Sequence, residues 1–293
     1  METWHVNGID LAVHAEGDGP LVVLAHGFPD LGLTWRLQVP ALVAAGYRVV
    51  VPDMRGFGRS ERPPGVESYR ADHVGDDLIG LLDHEGVERA HVVGHDWGAA
   101  TVWPLGLTHP ERLLSLTGLS VPHTPSAPAP PTEIFRRRIG EDFYMLRFQS
   151  EEAPARLERD VERSLLRLFV GRLDAPGAEV ALERPSWLPA EVLAAYVEAF
   201  GRTGFTGALS YYRNLDANWE LARAQPEATI VAPAMFLTGT DDPVATFMSG
   251  GAGEEAFRSL HVHRIEGAGH WVHQEEPERI NALLLAHLAA ATA

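Results

Sequence analysis

Five consecutive residues, Gly94-His95-Asp96-Trp97-Gly98, pose the chemical question of this chain. They follow an apolar run, Ala90-His91-Val92-Val93, and precede a stretch of small residues, Ala99-Ala100-Thr101-Val102. The spacing glycine–x–nucleophile–x–glycine is that of a sharp strand-to-helix turn that lifts its central side chain above a sheet. Glycine is needed on either side because such a turn presses its backbone against neighbouring elements. The central residue here is an aspartate. A carboxylate is ionised at neutral pH and needs no base to make it a nucleophile. Its reaction is displacement at a saturated carbon, forming an alkyl ester by opening a strained ring ether or expelling a halide. The competing reading is structural, an aspartate that only caps the start of a helix.

Three further groups of reactive residues also follow short apolar runs. His26-Gly27-Phe28-Pro29 comes after Leu21-Val22-Val23-Leu24-Ala25, Thr238-Gly239-Thr240-Asp241-Asp242 after Ala234-Met235-Phe236-Leu237, and Gly267-Ala268-Gly269-His270-Trp271 after the run 262–265. In a parallel α/β sheet, groups just beyond the carboxyl ends of the strands converge on one crevice. Asp241 and Asp242 compete as the carboxylate of their loop, and Pro243 behind them permits a pure turn role. His261 and His263 share a strand face, but without a third ligand they read as solvated positions rather than a metal site. His26 reads as a brace for its loop, His95 as a locally packed residue, and Arg136-Arg137-Arg138 as a solvated helix face. Trp35 and Asp30, shortly after the His26 loop, are candidates for a pocket wall.

The elements that must position these groups follow from periodicity and turn residues. Asn7-Gly8 marks a hairpin turn. Residues 21–25, 47–51, 90–93 and 113–119 read as strands, and residues 33–45, 73–84 and 97–108 as helices, the first two ended by Gly46 and Gly86. This alternation predicts an α/β fold with a mostly parallel central sheet flanked by helices. It breaks at a stiff stretch holding Pro122, Pro125, Pro128, Pro130 and Pro131. The helical patterns that follow, 134–146, 155–170, 190–200 and 207–213, predict an inserted helical cap. Strands resume at 234–237 and 262–265, and a helix over 276–290 ends the pattern. The expected organisation is a core domain of residues 1–121 and 227–293, interrupted by a proline-rich linker and cap over 122–226.

Composition excludes several classes of function. The 293 residues are 45% hydrophobic, enough for a buried core, and carry a net charge of −16. Such an acidic chain is repelled by nucleic acid and by anionic membranes. Without cysteine there is no disulfide, no thiolate catalysis and no Cys-ligated zinc. No leader-like region opens the sequence, and no apolar stretch reaches the ~18 residues that span a bilayer, so a cytoplasmic location is expected.

Taken together, these motifs resemble the α/β-hydrolase-fold epoxide hydrolases of the aspartate-nucleophile type along almost the whole chain. His26 to Pro29 is similar to the family's oxyanion motif, Pro52-Asp53-Met54-Arg55-Gly56-Phe57-Gly58-Arg59-Ser60 to its next loop, and Gly94 to Gly98 to its aspartate elbow. Asp142-Phe143-Tyr144 with Phe148-Gln149, and Tyr211-Tyr212-Arg213-Asn214, resemble the two cap segments that carry the family's tyrosines. Gly269-His270-Trp271 resembles its histidine motif. The resemblance implies that Asp96 opens the epoxide, that Tyr144 and Tyr212 protonate the ring oxygen, and that His270 activates the water that hydrolyses the ester. It implies Asp242, three positions after Gly239, as the partner of His270; Tyr211 competes with Tyr212. The amides of Phe28 and Trp97 are the implied oxyanion hole, and Phe28, Trp97 and Trp35 the implied substrate contacts. No metal or organic cofactor is implied. The implied partners are a small hydrophobic epoxide and water, with no nucleic acid and no membrane; a homodimer is left open. Arg147, where many relatives have an aromatic residue, and the entrance Val121-Pro122-His123 depart from the pattern and bear on substrate size and regioselectivity. The nearest rival is a haloalkane dehalogenase, but that family places Asn where Phe28 stands, and the fluoroacetate type places Arg where Trp97 stands. A non-catalytic small-molecule sensor is the rival from another class.

Overall fold

The computed structural model describes residues 1–292 except 125–126, 172–181, 225–227 and 249–252, with the backbone alone at 245–246. Its centre is an eight-stranded sheet in the order β1-β2-β4-β3-β5-β6-β7-β8. The strands are β1 (Glu2–Val6), β2 (Ile9–Glu16), β3 (Leu21–Ala25), β4 (Arg48–Pro52), β5 (Ala90–His95), β6 (Leu113–Leu119), β7 (Ala234–Gly239) and β8 (Leu260–Ile265). β1 and β2 form the antiparallel hairpin expected around Asn7-Gly8, β2 pairs antiparallel with β4, and every later pairing is parallel.

Strand order reverses at β3. The chain leaves β3 outward to β4 and then returns to β5 on the other side of β3, which opens a crevice beyond the ends of β3 and β5. Register brings the two loops level, because Ala25 pairs with Gly94. Gly239 pairs with Ile265 in the same way, so the loops after β7 and β8 leave the sheet together.

Packing on the two faces explains the continuous apolar run of β3, whose five residues are all buried. Leu21, Val23 and Ala25 face one hydrophobic cluster together with Val92, Leu78 and Val102. Val22 and Leu24 face the other, with Val93, Leu237, Ile265, Leu284 and Leu288. A side-chain period of two sends alternate residues to opposite faces, and each large aliphatic so buried contributes about 2 kcal/mol. The helices of these layers are α1 (Val39–Ala44), α2 (Ala71–Glu85), α3 (Trp97–Thr108) and, at the end, α11 (Val244–Phe247), α12 (Val272–Glu275) and α13 (Pro277–Thr292). Between β6 and β7 the described residues form helices only: α4 (Pro131–Arg138), α5 (Tyr144–Arg147), α6 (Ala153–Glu158), α7 (Val161–Phe169), α8 (Ala190–Thr203), α9 (Thr206–Arg213) and α10 (Leu215–Ala224).

Three expected helices are corrected. The span 33–45 is a 3-10 turn, Gly32–Leu37, followed by α1, because Pro40 can only restart a helix in its first turn. The span 134–146 divides at Gly140, whose φ is +117°. The span 155–170 divides where the Asp160 side chain caps α7 by accepting from Arg163 N–H. Helix α10 was not anticipated by the apolar pattern, since none of its residues is fully buried. Pro125 of the expected linker lies outside the described residues. Among those residues no helix is long and apolar enough to cross a membrane.

Candidate active site

Asp96 stands at the junction of β5 and α3 with φ +54° and ψ −118°. That backbone conformation is costly for any residue with a Cβ, by about 1–3 kcal/mol, and persists only where the surroundings dictate it. Here the surroundings are backbone. A Cβ on Gly94 would fall 2.4 Å from the carbonyl carbon of Gly98, and one on Gly98 would fall 2.2 Å from the carbonyl oxygen of Ala25. The elbow is thus clamped between its own next turn and the end of β3. The same clamp places the Phe28 N–H 2.8 Å from Asp96 Oδ1, so it donates to the carboxylate. A Cβ on Gly27 would meet both Asp96 Oδ1, at 2.4 Å, and the Trp97 backbone nitrogen, at 2.6 Å, so the Phe28 loop closes directly on the elbow.

His270 reaches the same carboxylate from the loop after β8, with Nε2 3.5 Å from Asp96 Oδ2. Its Nδ1 lies 3.0 Å from each oxygen of Asp242. Asp242 is buried and also accepts from Val244 N–H at 2.8 Å, while Asp241 is exposed in the turn. Structure therefore brings Asp242, not Asp241, to the histidine. Burial alone would push the His270 imidazole down, but Asp242 and Asp96 overcome it and hold its pKa well above the ordinary histidine range. Burial likewise opposes the charge of Asp96, and His270, His95 and the Phe28 N–H together hold its carboxyl below the usual value.

Tyr144 on α5 and Tyr212 on α9 enter the site from the helical insertion, with ring centroids 6.1 Å apart. Both line a cavity of about 350 Å³ with Asp96, His270, Phe28 and Trp271. The remaining wall is apolar, from Ile139, Phe143, Leu168, Val244 and Phe247. Tyr212 is wedged edge-on between Trp97, Phe148 and Phe28, at 4.9, 5.0 and 5.6 Å. Burial, and then the charge of Asp96, raise its pKa well above the ordinary tyrosine value, opposed by a hydrogen bond with the Trp97 side chain. The phenol is neutral and can donate. Tyr211 faces elsewhere, its hydroxyl donating to the Arg55 carbonyl at 3.0 Å.

Three expected pocket contacts are not at the wall. Trp35 is fully buried on the opposite face of the sheet, its ring 4.7 Å from His273, because the 3-10 turn aims it into the core. The Trp97 indole supports Tyr212 and Tyr211 rather than lining the cavity. Asp30 lies beneath the wall, accepting from Tyr196 Oη at 2.8 Å and Trp271 Nε1 at 3.1 Å.

The comparisons with known proteins agree with this geometry. The family model for the alpha/beta hydrolase fold matches residues 20–277. The chain is 43% identical to epoxide hydrolase A of Mycobacterium tuberculosis, over 96% of this chain and 95% of that one. It is 38% identical to epoxide hydrolase 3 of Siraitia grosvenorii, with 96% and 95% covered. The crystal structure of epoxide hydrolase A from Mycobacterium thermoresistibile superposes with a TM-score of 0.93 at 44% identity, covering 98% of this chain and 97% of that one. The chain belongs to the α/β-hydrolase-fold epoxide hydrolases.

In this epoxide hydrolase fold, several residues that hold the site together carried only weak sequence signals. His26 braces the oxyanion loop, its Nδ1 2.9 Å from the Gly27 carbonyl and its Nε2 accepting from Met54 N–H. His95 Nε2 and Ser120 Oγ both reach the His270 carbonyl, at 2.9 and 2.6 Å. Glu275 accepts from the backbone N–H groups of Gly269 and Trp271, closing the turn on which His270 sits. Adjacency to a motif residue is the only signal that marks His95 and Asp30, and nothing local marks Ser120 or Glu275.

Proposed function

We propose that the chain hydrolyses an epoxide to a vicinal diol through an ester on Asp96. The observation that carries this reading is a carboxylate that accepts from the Phe28 N–H and faces two tyrosines across an apolar cavity, with His270 and Asp242 beside it. An Asp96 oxygen attacks one ring carbon. The carbon–oxygen bond of the ring breaks, its electron pair goes to the ring oxygen, and that oxygen takes a proton from Tyr212 or Tyr144. A neutral phenol does this at pH 7 because the developing alkoxide is far more basic.

Ester formation removes the negative charge of Asp96, one of the two charges that keep His270 protonated. The imidazolium then returns a proton to the tyrosinate, directly or through water, and becomes the base the second step needs. Neutral His270 takes a proton from water, and the hydroxide adds to the ester carbonyl. The Phe28 and Trp97 amides receive the oxyanion, each such donor being worth about 3 kcal/mol of barrier. Collapse breaks the bond between the carbonyl carbon and the ester oxygen, the one Asp96 gave to the ring carbon, so that oxygen leaves in the diol and the water oxygen stays on Asp96. The departing alkoxide takes the carboxylic proton, which restores Asp96 as carboxylate and leaves His270 protonated as at the start.

The substrate class follows from the wall. Phe143, Leu168, Phe247 and Ile139 surround the reacting groups with hydrocarbon, which suits an uncharged hydrophobic epoxide. The test is the intact mass of His270→Ala after mixing with an aryl epoxide and, separately, with a bromoalkane. A gain of the whole epoxide mass, lost on Asp96→Ala, supports the reading. A gain of only the alkyl group with bromide release indicates dehalogenation instead.

A further inference from the structure

The Tyr211 hydroxyl and the Arg55 carbonyl form a contact across the seam between the inserted helices and the core, one residue from Tyr212. Tyr212 must reach into the cavity from α9, a helix of eight residues. Within the insertion α9 is tied to the turn between α5 and α6: Gln149 Nε2 donates to the Tyr212 carbonyl at 2.8 Å, and Arg213 to the Ser150 carbonyl at 2.8 Å. Those bonds fix α9 to its own layer and say nothing about its height above Asp96.

Next to Tyr212 the contact with the core is made by Tyr211, which is 3% exposed and donates to the Arg55 carbonyl at 3.0 Å; at the end of α9 Asn214 donates to the Val66 carbonyl. The Arg55 carbonyl belongs to a loop tied to α2. The Arg55 guanidinium is buried against Asp77 of α2, with Nε and an Nη nitrogen at 2.6 and 2.5 Å, and also donates to the Ser68 carbonyl. Backbone meets backbone at the next residue: a Cβ on Gly207 would fall 2.9 Å from the Gly56 carbonyl oxygen. The Tyr211 ring is set between Phe57, Tyr69 and Trp97, at 5.5, 5.8 and 5.9 Å. Tyr211 and Tyr212 therefore share Trp97, one ring anchored to the core loop and the other presented to the cavity.

We infer that Tyr211 is a positioning residue, whose bond to the Arg55 carbonyl sets Tyr212 at donating distance from the epoxide oxygen. The inference rests on the epoxide-opening role proposed above. It separates the two half-reactions, because ring opening uses Tyr212 whereas hydrolysis of the ester uses His270, Asp242 and the oxyanion amides.

The experiment is rapid mixing of the full chain with styrene oxide, following ester by quenched intact mass and diol by chromatography. Tyr211→Phe keeps the ring and deletes the bond. It is expected to slow ester formation about tenfold, in line with the sensitivity of positioned groups to small displacements, and to leave ester breakdown within about twofold. Gly207→Ala, which lifts α9 from the loop with Tyr211 intact, should show the same selective loss. Tyr211→Phe/Tyr212→Phe should form ester no more slowly than Tyr212→Phe. Wild-type ester formation in Tyr211→Phe, equal loss in both steps, or a double variant slower than Tyr212→Phe would each overturn the inference. A wild-type chain that forms neither ester nor diol would overturn the epoxide reading itself, and the inference with it.

Discussion

At the scale of single residues, the proposed route rests on one charge that is consumed and one that is retained. On that route Asp96 loses its charge in the ester and Asp242 keeps its own, so His270 would be a cation held by two carboxylates before ring opening and a base after it. Asp242→Asn removes the retained charge, and hydrolysis of the ester should fall on the order of 10³-fold while ester still accumulates, measured by quenched intact mass. Because water attacks the carbonyl carbon, a single turnover in ¹⁸O-water should place the label in the Asp96 peptide and not in the diol; label in the diol would refute the ester route. The pH profile of ring opening has a fixed sign. Asp96 must be ionised and its pKa is depressed, so the acid limb should lie below the ordinary carboxylate range near ~4. Tyr212 must be neutral and its pKa is raised, so the alkaline limb should lie above the ordinary phenol value near ~10.

At the scale of elements, the elbow shows how a strained residue is kept. Gly94 and Gly98 are glycines because β3 and α3 leave no space for a Cβ, and the clamp they allow forces φ +54° on Asp96. Asp96→Gly should therefore be more stable than Asp96→Ala by about 1 kcal/mol in urea unfolding, both being inactive. Gly98→Ala should cost about 3 kcal/mol and displace Asp96, since its methyl meets the Ala25 carbonyl. The strands, the hairpin and the elbow helix were legible because buried parallel strands are continuous apolar runs bounded by turn residues. The inserted helices were less so. Their apolar stripes run on through Gly140 and Asp160, where a left-handed glycine and a capping carboxylate break them.

At the scale of the whole molecule, stability on the acid side depends on histidines far from the site. His91 is fully buried beside Ser115, and His287 is buried on α13. Burial lowers both pKa values from 6.5 to about 4. A histidine depressed in the folded state contributes stability that is complete above its unfolded value of ~6.5 and is lost as pH falls toward ~4, because the unfolded chain binds the proton first. Each should cost the fold about 2 kcal/mol between pH ~7 and ~5. Urea unfolding across that range checks this, and the His91→Asn/His287→Gln variant should have a flatter dependence.

Residue types and their spacing by themselves determined the class of fold, the aspartate elbow and the histidine loop, because each is local: an apolar strand, a glycine-bounded turn and one reactive side chain at its tip. Asp241 against Asp242 and Tyr211 against Tyr212 could not be separated locally, since neighbours on a turn or a helix differ only in direction. Tertiary structure decided both. The β7–β8 register turns Asp242 to His270, and the contact of α9 with the Arg55 loop turns Tyr211 into the core, away from the cavity, and leaves Tyr212 on the cavity wall with Asp96. It also sent Trp35 into the core and Asp30 beneath the wall, because which face of a turn is buried is set by what packs against it, and His273 against Trp35 and Tyr196 and Trp271 on Asp30 all come from far along the chain.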